Sequence, residues 1–474
     1  MKVLLLNPPF LPRFSRTSRS PEISKGGALY YPYWLAYAAG VLEDHKFDVK
    51  LVDSPAAGYS RQATLGFAVD FNPDLVVCDT STPSIHNDVE VAAEIKKHTA
   101  AFILLVGVHA SALPAETLAM NESVDAVARG EYELTLLELA QKIEEGGEVA
   151  DVAGLTVRKD GKIVNTDNRE LIKNLDELPF LSKVYKKYLS IKDYFYPSVR
   201  YPEVTILTAR GCPFNCSFCN TPFRGSYRTR SVENVIEEFK YIQKELPMVK
   251  EVMIEDDTFP INKKRTIELC DRMIEEKINL PWSCNARVDT ELEVLKKMKK
   301  AGCTLMCVGF ESPFQKTLDA VNKKTTKDLQ VKFMSNARKA GIKVHGCFIL
   351  GLPGDTKESI EKAIRFAIEL DPQTAQFYPI MVYPDTEAYK WAKENGYLIT
   401  EDYRKWIDDK GVHNCVVSRP GLGNTDLVEL CDRALRRFYF RPKKIINIAL
   451  STHDSGDFTR KIIGLKNTLK YFLG

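Results

Sequence analysis

The chain has 474 residues, 44% apolar and 27% charged, the balance of an ordinary globular protein with room for roughly three domains at ~150 residues each. A formal net charge of +3 is too small to make nucleic acid the main partner. No run approaches the ~20 apolar residues of a membrane span. The opening run Met1–Leu6 stops at Asn7-Pro8-Pro9, too short for a signal peptide. It reads as a buried strand, and the expected location is cytoplasmic.

Residues 1–150 alternate apolar runs with helical patterns. The predicted strands are Val3–Asn7, Val49–Val52, Leu75–Asp79, Ile103–Val106 and Ala126–Ala128, with helices such as Asp88–Lys97 and Leu134–Ile143 between them. Continuous apolar strands alternating with helices predict an α/β fold, here a Rossmann-like doubly wound sheet. Residues 151–200 read as a connector, with a hairpin signal at Asp160-Gly161. A second βα series occupies 201–385. Its strands are Val204–Thr208, Glu251–Glu255, Trp282–Ala286, Met306–Phe310, Lys343–Leu350 and Ala375–Pro379, and Ser231 is a good helix N-cap. Six such units suit a partial, open-sided barrel. Residues 386–474 read as a helical C-terminal extension with a basic, aromatic end.

The 11 cysteines do not form a secreted disulfide pattern: Cys78 stands alone before residue 212, and three then fall within 212–219. Cys212, Cys216 and Cys219 follow the first barrel strand as C-x-x-x-C-x-x-C. Three thiolates on one loop suit three corners of a four-iron, four-sulfur cluster. The fourth iron is left open, and a chelating ligand with an amine and a carboxylate, such as the methionine part of S-adenosylmethionine, can occupy it. Zinc would want a fourth ligand nearby, and no Cys or His follows until Cys270.

The segment Cys212-Pro213-Phe214-Asn215-Cys216-Ser217-Phe218-Cys219 resembles the signature of radical S-adenosylmethionine (SAM) enzymes, with Phe218 as its aromatic. Ile254-Glu255-Asp256-Asp257, Cys284-Asn285-Ala286-Arg287, Gly309-Phe310-Glu311-Ser312 and Ile349-Leu350-Gly351 resemble the family's later strand ends. The resemblance implies SAM contacts at Phe218, Asp256, Asp257, Asn285, Arg287, Glu311, Ser312, Ile349 and Gly351. It also implies an electron donor such as flavodoxin or ferredoxin.

Asn7-Pro8-Pro9, Asn72-Pro73-Asp74, Gly107-Val108-His109 and Arg129-Gly130-Glu131 resemble the cobalamin-binding domain of one branch of that family. Thr80, Ser81, Gly107, His109 and Glu131 are the candidate cobalamin contacts. No Asp-x-His-x-x-Gly is present, so two readings stay open: cobalamin held without a protein histidine, or an empty domain.

Over nearly its whole length the chain also resembles the hopanoid-associated radical enzymes. The carrying pieces are Trp34-Leu35-Ala36, Thr80-Ser81-Thr82-Pro83-Ser84, Tyr227-Arg228-Thr229-Arg230-Ser231 and Phe438-Tyr439-Phe440-Arg441-Pro442. That resemblance implies radical carbon–carbon bond formation and ring contraction on a lipid-linked sugar, giving a cyclitol ether head group. The alternative is cobalamin-dependent radical methylation, and outside enzymes a non-catalytic iron–sulfur or corrinoid carrier. A methylthio transferase would need a second cysteine triad upstream, where only Cys78 stands. Arg433, Arg436, Arg437, Arg441, Lys443 and Lys444 around Phe438-Tyr439-Phe440 predict a peripheral membrane contact against an amphipathic helix packed on the barrel. His345 and Cys347 share one face of the fifth strand. With Tyr378 they are the candidates for handling substrate hydrogen.

Overall fold

The computed structural model describes residues 1–17, 19–450, 460–464, 466 and 471, and the rest of the C-terminal extension lies outside the described residues. The chain forms two compact units: Met1–Phe195 with Asp402–Val412, and Tyr196–Glu401 with His413–Gly474.

In the first unit the apolar runs become β1 (Lys2–Asn7), β2 (Asp48–Asp53), β3 (Leu75–Thr80), β4 (Phe102–Gly107) and β5 (Ala126–Ala128). They are parallel, and two further strands, β6 (Leu155–Lys159) and β7 (Lys162–Asn165), add antiparallel pairs to give the order β2-β1-β3-β4-β5-β6-β7. Register keeps like with like: Leu5 pairs with Leu51 on one side and Val77 on the other. β1, β3 and β4 have almost no exposed side chain, as a sheet covered on both faces requires. The turn between β6 and β7 uses Asp160 at φ 49° and Gly161 at φ 73°, the pair of positive angles a two-residue hairpin demands. Beyond it Tyr31 is stacked between Tyr185 and Tyr194, with centroids 4.3 and 3.8 Å away. The Tyr194 hydroxyl donates to Asp53 Oδ2 at 2.8 Å.

The second unit holds β8 (Glu203–Ile206), a short antiparallel pair β9 (Ala209–Arg210) and β10 (Arg228–Thr229), then β11 (Glu251–Ile254), β12 (Trp282–Ala286), β13 (Cys303–Gly309), β14 (Lys343–Leu350) and β15 (Thr374–Pro379). Six of these form one all-parallel sheet in the order β15-β14-β13-β12-β11-β8. The helices between them are well specified: Ser231 caps Val232–Glu245 through Asn234 N–H, and Thr356 and Ser359 make a reciprocal capping box on Lys357–Leu370. Phe310, Phe348 and Phe377 stack in sequence on the helix-covered face, with centroids 5.5 and 5.3 Å apart.

The C-terminal extension is helical at Glu387–Glu394, Asn424–Tyr439 and Pro442–Leu450. Residues 395–423 between them turn repeatedly at Gly396, Gly411 and Gly421, all with positive φ. Within that stretch Asp402–Val412 belongs to the first unit: Ile23 N–H donates to Gly411 O at 2.7 Å. Much of the basic, aromatic end packs on the protein itself, while Phe440, Ile445 and Ile446 stay exposed. Phe438 is fully buried against Phe377, and the Tyr439 hydroxyl accepts from Ala375 N–H and donates to Ala375 O. Arg437 pairs with Glu361 at 2.7 Å, and Arg441 and Lys444 pair with Asp371 at 2.9 and 3.1 Å. These groups pack the helix on the edge strand β15. Among the described residues no helix is long and apolar enough to cross a membrane.

Candidate functional site

The loop from Gly211 to Tyr227 carries all three candidate cluster ligands, and its base is tightly held. Asp256, just past β11, accepts from Thr208 N–H and Ala209 N–H at 2.6 and 3.0 Å on Oδ1 and from the Thr208 hydroxyl at 2.6 Å on Oδ2. Burial raises its pKa above the ordinary carboxylate value. Buried Arg265 donates to Thr208 O and Arg230 O at 3.1 and 3.0 Å, and Arg230 pairs with Glu238 at 2.5 Å. The loop is tied at its middle as well, by Ser217 N–H to Val321 O and by Asn322 Nδ2 to Asn215 O.

Cys216 is buried, and Cys212 and Cys219 are partly exposed. Burial pushes the Cys212 thiol up to about 11, partly offset by the Phe214 N–H, and raises Cys216 too, with the Lys323 charge opposing. Thiols of this kind ionise when a metal takes the proton's place. Gly211 has φ +83°, and a Cβ there would lie 2.5 Å from Ser226 O and 2.7 Å from Phe223 O. Gly211→Ala is therefore expected to leave both sheets formed, by circular dichroism, while iron content after anaerobic reconstitution drops sharply.

The other candidates for the SAM site stand at successive carboxyl ends of the same sheet. Asp257 accepts from the Thr221 hydroxyl at 3.2 Å, and Asn285 Nδ2 donates to Asp256 O at 3.1 Å. The Arg287 guanidinium lies 3.7 Å over the Phe214 ring and donates to Lys323 O at 2.8 Å. Glu311 adopts φ 59°, a strained angle for this residue, and its carboxylate meets Lys323 Nζ at 2.7 Å with both side chains buried. Phe218 lies 6.0 Å from the same ammonium. Ser312 Oγ accepts from Phe314 N–H, and Gln330 clamps the segment through Phe310 O and Ser312 O. Gly351 has φ +90° and donates to Asp355 Oδ2 at 3.1 Å, and Ile349 is partly exposed one turn of the pleat before it. Thr258 Oγ1, one residue after the acidic pair, is buried with no hydrogen-bond partner, a cost of about 1–3 kcal/mol. Three thiols without a fourth ligand, paired buried cations and an orphaned hydroxyl fit a cluster with SAM on its open corner.

Lys323 and Arg265 were not legible beforehand. Lys323 sits in Asn322-Lys323-Lys324-Thr325, which reads as a solvated charge run, and Arg265 directly follows the exposed Lys263 and Lys264 at the start of a helix.

On the sheet's inner face Cys307 pairs with His345, Gly309 with Cys347, Cys347 with Gln376 and Ile349 with Tyr378. The alternation of β14 and β15 leaves His345, Cys347, Gln376 and Tyr378 partly exposed together. Gln376 Nε2 donates to Cys347 Sγ at 3.1 Å. His345 Nδ1 lies 2.7 Å from the Thr374 hydroxyl, and burial lowers its pKa. The Tyr378 ring instead faces His413, 6.3 Å away.

In the first unit Thr80, Ser81, Gly107 and His109 meet at the ends of β3 and β4, where ligands of open α/β sheets bind. Thr80 Oγ1 donates to Val106 O, and Ser81 and Ser84 share a hydrogen bond. His109 is packed: Nδ1 lies 3.1 Å from the Thr82 hydroxyl, the ring meets Tyr403 edge-on at 4.9 Å, and burial lowers its pKa to about 3. Glu131 accepts from Ile172 N–H at 2.8 Å, and Gly130 N–H before it donates to the Ser111 hydroxyl at 3.1 Å. Close by, Arg16 and Asp88 form a wholly buried ion pair, with Arg16 Nη1 also donating to Asn7 Oδ1.

Burial pushes Asp79 up to about 7 and Asp53 up to about 6. A carboxyl near 3.9 when unfolded and higher when folded binds more protons in the native state between those values. Stability therefore falls as pH rises from about 4 to about 7. In thermal melts across that range, Asp79→Asn is expected to flatten the slope.

A parallel six-strand sheet that opens on a three-cysteine loop and gathers its other strand ends around it is the build of a radical SAM domain, and the chain belongs to the radical SAM superfamily. That family matches residues 206–367, and the B12 binding domain matches residues 23–140. The protein is thus an enzyme whose cofactors are a four-iron, four-sulfur cluster and SAM, with a domain of the type that carries cobalamin. Over 96% of its length it is 34% identical to an uncharacterized methyltransferase of Pyrococcus horikoshii, covering 95% of that protein. It is 30% identical over 78% of its length to the anaerobic magnesium-protoporphyrin IX monomethyl ester cyclase of Rubrivivax gelatinosus, covering 68%. The hopanoid C-3 methylase of Methylococcus capsulatus is 26% identical over 79% of the chain, covering 70% of the methylase. The fold matches that of the radical SAM methyltransferase TsrM of Kitasatospora setae with a TM-score of 0.73, at 18% identity and full coverage of both chains. These matches favour methylation over the sugar ring contraction expected from the hopanoid-associated resemblance.

Proposed function

We propose that the protein is a cobalamin-dependent radical SAM methyltransferase acting on an unactivated carbon of a small molecule. The observation that carries this reading is the full-length similarity to a methyltransferase together with the pairing of a B12-type unit and a radical SAM unit in one chain. Cys212, Cys216 and Cys219 would hold the cluster, which supplies the electron that splits SAM. Arg287, Glu311, Ser312 and Lys323 would orient SAM, with the Lys323–Glu311 pair fixing the strained strand end. Asp256 holds the backbone that leads into the cysteine loop. Thr80, Ser81 and Gly107 line the strand ends where cobalamin would rest, and His109, locked on Thr82 and Tyr403, shapes that floor. Cys347 and His345 border the substrate, Cys347 held by Gln376. A hopanoid-type lipid is the substrate class to test first, on the strength of the hopanoid methylase similarity.

Methylation consumes one SAM as methyl donor and a second as radical source. The chain, reconstituted without oxygen and reduced with dithionite, is expected to yield S-adenosylhomocysteine and 5′-deoxyadenosine together, the former only when cobalamin is added. With a candidate lipid present, 5′-deoxyadenosine alone, unaffected by cobalamin, would overturn methylation in favour of a cyclisation.

A further inference from the structure

The stretch after Tyr439 exposes apolar side chains where the rest of the fold hides its own. Phe440, Ile446 and Ile445 are 59%, 56% and 52% exposed, more than any other large apolar side chain among the described residues. They fall within seven consecutive positions, where the helix Asn424–Tyr439 gives way to the helix Pro442–Leu450. Scattered exposed apolar residues are ordinary, but a cluster of them marks a contact surface. The second helix cannot roll to bury the isoleucines, because its underside is pinned. Lys444 is buried: it pairs with Asp371 at 3.1 Å, donates to Pro372 O and lies 4.7 Å from the Phe438 ring. Arg441 pairs with the same carboxylate at 2.9 Å and donates to Ile368 O at 3.2 Å. Turning Ile445 inward would break these bonds and leave Asp371 without its cations.

The charge around the patch has one sign. Arg433, Arg436 and Phe440 fall on one face of the first helix and its C-terminal cap, all three exposed, and Lys443 is exposed just before the isoleucines. Arg433 also pairs with Glu361. Residues 433–474 hold ten Lys or Arg against two Asp, although the whole chain is only +3. A second copy brought to this face would meet its own positive charge, whereas a surface of lipid phosphates complements it.

We propose that this face of the second unit seats on an anionic bilayer surface. Phe440, Ile445 and Ile446 enter the headgroup boundary, and Arg433, Arg436 and Lys443 meet lipid phosphates. The inference stands apart from the methylation reading, since it uses no residue of the SAM or substrate site.

The test is flotation of the reconstituted full chain with vesicles of phosphatidylcholine and phosphatidylglycerol, against vesicles of phosphatidylcholine alone. Wild type is compared with the triple variant Phe440→Ser, Ile445→Ser, Ile446→Ser. The three side chains are exposed, so the variant is expected to keep its circular dichroism, iron content and SAM cleavage. Its partition onto the anionic vesicles is expected to fall at least about tenfold. Wild type that fails to float with the anionic vesicles, or floats equally with both kinds, overturns the proposal. So does a triple variant that floats as wild type does. A wild-type dimer that the triple variant makes monomeric, with no flotation, would assign the patch to a second copy instead. If the triple variant fails to fold, Lys443→Glu decides: weaker flotation with the anionic vesicles supports the proposal, and unchanged flotation overturns it. Wild type that floats but cleaves no SAM would fail the reading of the SAM site, not of this surface.

Discussion

Cys212→Ala is expected to fold as the parent does, bind less than a full cluster and lose formation of 5′-deoxyadenosine. Three thiolates on one loop leave no spare ligand: the next cysteine, Cys270, is buried in the helix Lys263–Glu275. Loss of an outer-shell partner at a metal site typically costs 10–100-fold, so loss of a direct ligand should exceed about a hundredfold. The loop's base does not depend on the thiol. Asp256, Arg265 and Arg230 hold residues 207–209 through backbone and side-chain bonds that the substitution leaves intact. Circular dichroism should match wild type while iron content, absorbance near 400 nm and SAM cleavage collapse together. Retained cleavage would assign the radical chemistry elsewhere.

Asp88→Ala should cost the first unit about 3–5 kcal/mol, because it strands the Arg16 guanidinium in a wholly buried place. The carboxylate accepts from Arg16 Nε and Nη2 at 3.2 and 2.5 Å and from the Ser84 hydroxyl at 2.6 Å, and no water-facing position is open to either partner. The paired variant Arg16→Met with Asp88→Leu removes both charges and is expected to recover most of the loss. Urea unfolding followed by a fluorescence signal from the first unit measures both. Equal destabilisation of the single and paired variants would show that the pair acts through packing rather than charge.

Much of the fold was legible because its strands are short apolar runs bounded by turn residues, and a covered parallel sheet needs nothing more. Ala126–Ala128, Trp282–Ala286 and Lys343–Leu350 have the bounds read from the sequence. The hairpin at Asp160-Gly161 announced its own backbone angles. The cysteine loop was legible for a different reason, since three soft ligands at that spacing have few other uses. What stayed hidden depends on residues far apart in the chain. Asp402–Val412 folds with the first unit although the 206 residues Tyr196–Glu401 of the second separate it from Phe195. Asp256 reads as a SAM contact, yet its oxygens hold Thr208 and Ala209. Lys323 reads as solvated, yet it is buried on Glu311. The basic, aromatic C-terminus reads either as a helix packed on the barrel or as a membrane contact, and the sequence could not show that Arg437 pairs with Glu361 and that Arg441 and Lys444 pair with Asp371. Periodicity shows which face is buried, but not against which distant partner.

The most direct test of the central claim is the EPR spectrum of the dithionite-reduced, reconstituted chain before and after SAM is added. A radical SAM site predicts about four iron and four sulfide per chain and a reduced-cluster signal that changes when SAM occupies the open iron. Full cluster content with a signal indifferent to SAM, or no cluster at all, would contradict it.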